Sequence, residues 1–193
     1  MKESVIATNT LSRSLHDVGL AAWFGGTLAN AVALNPAAGA TSNPADAGAV
    51  ANTGWNRWTP VNGAAIGAHL IGSIGQLAAN RDRITAQSGV RAMAITKTAV
   101  TAAALAATGW SRIQGRTVAA HREVPVTDGT TAHPETPAPV AAAQKQLAVL
   151  QWVIPALTGA LVVLSALAGE QQRPAAMGAG LLRRLTGKTV TAQ

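Results

Sequence analysis

Charged residues divide this chain into long uncharged windows. Residues 18–45, 58–80, 98–111 and 146–169 contain no Asp, Glu, Lys or Arg. Each is bounded by a charge: Asp17 and Asp46, Arg57 and Arg81, Lys97 and Arg112, Lys145 and Glu170. About 20 helical residues cross the hydrocarbon core of a bilayer. Three windows exceed that length and the third falls short of it. The expected fold class is an all-α integral membrane four-helix bundle, one domain over 1–193, with spans at about 15–34, 60–80, 93–111 and 146–169.

Local signals set the expected ends. Ser14 caps span one, Asp17 three residues on suits the helix dipole, and Asn35-Pro36 ends the helix. Residues 36–58 read as a Gly/Pro/Asn/Ala-rich loop. Thr59-Pro60 reads as the start of span two, with Pro at the first helical position. That span closes on Asn80-Arg81-Asp82-Arg83. Span three needs Lys97 and Arg112 to snorkel from its two ends. Residues 113–140 include VPVTDGTTAHPETPAPV and read as a flexible Pro/Thr-rich extracytoplasmic loop. Pro155 is expected to kink span four and free the carbonyl of Gln151. The tail 171–193, with Leu181-Leu182-Arg183-Arg184-Leu185, reads as a basic amphipathic segment on the membrane surface. An alternative for the first window is a signal peptide cut after Ala31-Val32-Ala33, preceded by Arg13 and an apolar run.

Helical phase sorts the few polar residues inside the windows. In span one His16, Trp23, Thr27 and Asn30 share a stripe, beside a strip of Gly19, Ala22, Gly26, Ala29 and Ala33. In span two Asn62, His69, Ser73, Gln76 and Asn80 share a face, flanked by Ala64, Ala68, Gly72, Gly75 and Ala79. Span three offers Lys97, Thr101 and Thr108. Span four offers Gln144, Gln151, Thr158, Ser165 and Gln172 at seven-residue spacing, which suits left-handed packing. The seam candidates are His69, Ser73, Gln76, Thr27, Asn30, Thr158 and Gln151. Gly25, Gly26, Gly72, Gly75 and Pro155 are the candidates for helix packing. His69 falls near mid-membrane with Thr27, Asn30 and Thr158 expected at its depth. His16 falls near the inner edge, roughly 15 Å away, so the two histidines are not expected to meet.

Composition agrees with a lipid solvent. Charged residues are 12% and aromatics 3% of the 193 residues, with one Phe and no Tyr. Such a core lacks bulk for packing in water, whereas membrane helices pack closely on small residues. The absence of Cys excludes disulfides and thiolate metal sites. The net charge is +7, but the basic residues lie between windows instead of forming one patch. They fit anionic lipid and the positive-inside rule, not nucleic acid. With both termini inside, ten Lys and Arg fall on the inner side against five outside. Trp55, Trp58, Trp110 and Trp152 then gather at the outer ends, and Trp23 is the exception.

Catalytic motifs are missing: no phosphate-binding Gly loop, HExxH or nucleophile elbow. No Asp or Glu lies inside a span, which argues against a proton- or cation-coupled transporter. His121 and His133 match no metal motif and read as solvated loop residues.

The runs HDVGLAAWFGG (16–26), TPVNGAAIGAHLIG (59–72), LQWVIPALTGALVVL (150–164) and GEQQRP (169–174) together resemble an uncharacterised family of four-pass membrane proteins of high-GC Gram-positive (actinobacterial) bacteria. The resemblance implies a cytoplasmic-membrane location but no activity, and no functional residues carry over. Trp23-Phe24-Gly25-Gly26 also resembles the Trp-x-Gly-Gly first helix of small copper-resistance and haem-associated membrane families. The chain lacks the Met and Cys clusters that copper handling uses.

The expected function is therefore a non-catalytic, multi-pass protein of the plasma membrane, an accessory or scaffold subunit or a binding module with a polar mid-membrane seam. Its partners would be the bilayer and other membrane proteins or a second copy, with no metal and no cofactor. Two alternatives stand beside this: a haem b or redox protein using His69, and a small-solute permeation protein.

Overall fold

The structure is a computed structural model that describes residues 2–121 and 124–170, with side chains from Thr10 onward. The basic tail expected over 171–193 lies outside the described residues. The fold is all-helical: α1 (Lys2–Ala29), a π-helical turn (Asn30–Leu34), α2 (Asn35–Ala38), α3 (Pro44–Ala79), α4 (Arg81–Ala86), α5 (Ser88–Ala119) and α6 (Ala138–Glu170). A single isolated bridge between Val126 and Ala132 is the strand-like pairing among the described residues.

Three stretches are long and apolar enough to cross a membrane: Thr10–Ala38, Ser88–Ala119 and Ala138–Glu170. All three run longer than the uncharged windows, because charges at a window's edge continue the helix instead of ending it. α3 is not among them, since Asn, Gln and His dilute its apolar content. It is nonetheless 36 residues long, about 54 Å of helix.

Two prolines behave differently from expectation. Pro36 does not end the first helix. A π turn precedes it, with the Asn35 N–H donating to the Asn30 carbonyl. The wider turn leaves room for a ring that would otherwise meet the carbonyl of Val32. Pro60 does not begin α3 but lies inside it. The helix starts at Asn43-Pro44, where the Asn43 side chain accepts from Ala45 N at 3.1 Å. Asn43-Pro44 carries the same cap-plus-proline signature as Thr59-Pro60. The region expected as a loop over 36–58 is thus largely helix.

α1 and α3 run antiparallel at very close range. A Cβ on Gly72 would strike the backbone of Ser12 and His16, and one on Gly19 would strike the backbone of Ala65 and His69. Farther along, Gly26 lies under the Trp58 ring and Gly54 under Leu34. Small residues thus set the register, as expected where dispersion contacts replace a hydrophobic driving force. Gly75 meets Ser12, but Gly25 faces open space and makes no packing contact. The sequence places it on the wrong side of Gly26, one residue or 100° away.

α5 lies along α6, and α1 also touches α6, whereas α3 and α5 barely meet. The core between them is small: Trp23, Ala65 and Ala104 are buried, with Ala22, Ile66, Leu105 and Leu157 against them. The outer surface carries exposed Val18, Ile71, Ile74, Ile95, Val149 and Val163. A coat of this kind suits a lipid surrounding.

The expected flexible loop over 113–140 is shorter and more structured than its composition suggests. Helix α5 continues to Ala119 and α6 begins at Ala138. Between them, Val126 is buried and its N–H donates to Pro44 O at 3.1 Å. Asp128 accepts from the N–H groups of Thr130 and Thr131 at 2.7 and 2.8 Å. The loop closes on its own side chains, as Asx turns do.

Candidate functional site

His16 and His69 are neighbours. Their ring centroids are 4.5 Å apart, tilted by 46°, and the residues are 1% and 0% exposed. The sequence expectation that they lie far apart in depth is corrected here. It took the ends of the two charge-free windows as level. The glycine contacts slide α1 along α3 and bring His16 to His69. The Trp23 ring meets His69 edge-on, with centroids 6.0 Å apart. Thr27 and Thr158, expected beside His69, turn their hydroxyls to their own helices, donating to Trp23 O at 2.7 Å and Ile154 O at 2.9 Å.

The pair is held at one ring nitrogen each. His16 Nδ1 lies 2.7 Å from an Asp17 carboxylate oxygen, so Nδ1–H donates to it. His69 Nδ1 sits 3.4 Å from the His16 carbonyl, a long contact. Both Nε2 atoms are buried without a partner among the described residues. Trans ligation of one iron, with metal–nitrogen bonds of about 2 Å, sets two imidazole centroids roughly 6 Å apart. The 4.5 Å pair is too close for that. Among the described residues no group of three His, Cys, Asp or Glu is placed to hold a metal.

The open seam between α3 and α5 contains two cavities. One, of about 330 Å³, lies between α3, α4 and α5, with His16, Gln76, Arg83 and Lys97 in its wall. The other, of about 230 Å³, lies at the opposite end, with Asn52, Trp58, Asn62, Thr108 and Gln151 in its wall. The Trp23–Ala65–Ala104 cluster separates them. A third cavity of about 400 Å³ adjoins the first and shares Gln76 and Lys97 with it, adding Arg13, Asp17 and Ser165. Lys97 therefore does not simply stretch outward to a headgroup: it faces two internal spaces.

Buried polar groups concentrate on this seam. Eleven buried side-chain nitrogen and oxygen atoms lack a partner among the described residues. Seven belong to residues lining the two cavities: His16, Gln76 and Arg83 in one, and Asn52, Trp58, Asn62 and Thr108 in the other. An unpaired buried polar atom costs about 1–3 kcal/mol, so such a concentration calls for a ligand or water.

Other residues expected on the polar seam are more scattered. Ser73 is half-buried, lines the first cavity and donates to His69 O at 2.7 Å. Asn30 is half-buried with its Nδ2 unpaired. Pro155 is buried inside α6. Gln151 leaves the His69 neighbourhood altogether. It accepts from Asn35 Nδ2 at 2.8 Å and donates to Thr130 at 3.3 Å. Asn35, 1% exposed, is the residue the sequence reading missed, having been taken only as a helix stop. It also accepts from Trp55 Nε1 at 2.9 Å and receives Gly129 N–H on its carbonyl at 3.2 Å. Its place in helical phase with Thr27 and Ala31 was the available signal. Trp55 is thereby turned inward, while Trp110 and Trp152 remain about half exposed. Comparison with protein-family models, curated proteins and solved structures finds no match to this chain.

Proposed function

We propose that the chain is a four-pass protein of the cytoplasmic membrane, with both termini inside, that binds a small molecule in the seam between α3 and α5 and catalyses nothing itself. In this reading α3 crosses the bilayer beside the three apolar helices, sheltered by its close contact with α1. The observation that carries the reading is the gathering of seven unpaired buried polar atoms on two cavities of one seam. Interhelical hydrogen bonding, the simpler use of a polar stripe, does not account for them, because these atoms find no partner among the described residues. Service as an accessory subunit is compatible with such a pocket, and the apolar outer coat leaves surface for another membrane protein or a second copy.

The seam's shape favours permeation as a second reading: cavities at opposite ends, with the Trp23 cluster between them. One experiment separates the two. The chain has no cysteine, so the single variants Ser73→Cys and Asn62→Cys can each be labelled with a membrane-impermeant thiol reagent in oriented proteoliposomes. With a closed binding seam, the Ser73→Cys variant reacts from one side only and the Asn62→Cys variant from the other only. Reaction of both variants from either side indicates a pore. If both are as inert as Ile71→Cys on the exposed face, the seam is dry and the binding reading fails.

A further inference from the structure

We infer that the cavity between α3, α4 and α5 is a site for an anionic amphiphile, a bilayer lipid with an anionic phosphate headgroup. The inference rests on the binding reading above and names its ligand.

The wall is divided into two kinds of surface. Leu70, Ile74, Leu77, Met93 and Leu105 supply an apolar lining from α3 and α5. Arg83, Lys97, Gln76 and His16 supply the polar part, and among the described residues no Asp or Glu lines this cavity. A ligand matching both parts has an apolar chain and a negative head. A neutral solute would leave the cationic part of the wall unmatched, and a bare anion would leave the apolar wall empty.

The unpaired atoms define the head more closely. Arg83 Nε–H and Gln76 Nε2–H are donors without an acceptor. The other Arg83 contact within the site is weak, from Nη1 to Asn80 Oδ1 at 3.4 Å. A phosphate headgroup answers these donors: its anionic oxygens accept from Arg83, Gln76 and Lys97. Asp17 lines the adjoining cavity and is engaged by His16.

The cavity is also placed where a lipid can enter. Ile74 and Leu77 in its wall are 67% and 43% exposed, and α3 and α5 scarcely touch, so the cavity opens sideways along the helices. Arg83 lies just beyond the end of α3, at headgroup level in the proposed topology, with the apolar lining deeper. Head and chain therefore fall in the order a bilayer lipid presents them.

The test is native mass spectrometry of the full chain released from phosphatidylcholine nanodiscs doped with phosphatidate. Preferential retention of one phosphatidate, by roughly ten-fold over phosphatidylcholine, is the expected result. Lys97→Gln and Arg83→Gln should each lower that preference roughly five-fold. Arg81→Gln, an exposed cation at the same end, controls for general surface attraction and should change it little. Lys97→Arg should restore it. Circular dichroism of each variant confirms that it is folded. Displacement of the lipid by inorganic phosphate would show a plain ion site and overturn the inference. So would equal retention of both lipids with no response to the two substitutions. Where the seam cysteine variants react with the thiol reagent but no lipid is retained, the ligand assignment fails and the binding seam stands.

Discussion

Glycine decides the closest contact in the molecule. Gly19 and Gly72 place the backbones of α1 and α3 against each other beside the histidine pair. Backbone cannot step aside as a side chain can, so added bulk must push the helices apart. Gly72→Leu and Gly19→Leu should each destabilise the fold by about 1–3 kcal/mol or more, read as a lower unfolding midpoint in detergent. Gly25→Leu, facing open space, should leave the midpoint unchanged. His69 behaves otherwise. Its one hydrogen bond is long and its Nε2 has none, so His69→Leu should change stability by less than about 1 kcal/mol. A large loss in the same denaturation assay would mean that the ring is a structural hydrogen-bonding group after all. The polar stripe itself was legible from helical phase: His16, Trp23, Thr27 and His69 are all buried. The meeting of the two histidines was not, because periodicity fixes the face of a helix and says nothing of its slide along a neighbour.

At the scale of elements, the uncharged windows located helices but understated their length. Lys97, Arg112 and Lys145 lie within α5 and α6 instead of at their ends. Proline misled in both directions, since Asn43-Pro44 and Thr59-Pro60 carry the same local signal and the helix starts at the first of them. The turn after α5 is the element whose composition was least informative. Rich in Thr and Pro, it is held by Asn35, which bonds Trp55, Gln151 and Gly129 at once. Asn35→Ala strips partners from the Trp55 and Gln151 side chains, at about 1–3 kcal/mol for each polar group left buried. Hydrogen exchange should then find the amides of Val126, Thr130 and Thr131 protected in the natural chain and fast in the variant. Equal rates in both would show that the turn closes without Asn35.

At the scale of the molecule, two close pairs of helices, α1 with α3 and α5 with α6, leave a seam between α3 and α5. That seam holds the cavities and most of the unpaired polar groups. The proposed binding seam lies within the bilayer only if α3 crosses despite its modest apolarity. The sidedness of the two ends of α3 is the direct measurement. The single variants Ala49→Cys and Ala86→Cys, both at exposed positions, are labelled separately with an impermeant thiol reagent in intact cells and then in opened membranes. A crossing α3 predicts that the Ala49→Cys variant reacts from outside intact cells and that the Ala86→Cys variant reacts only after the membrane is opened. Labelling of both variants from the same side would contradict it.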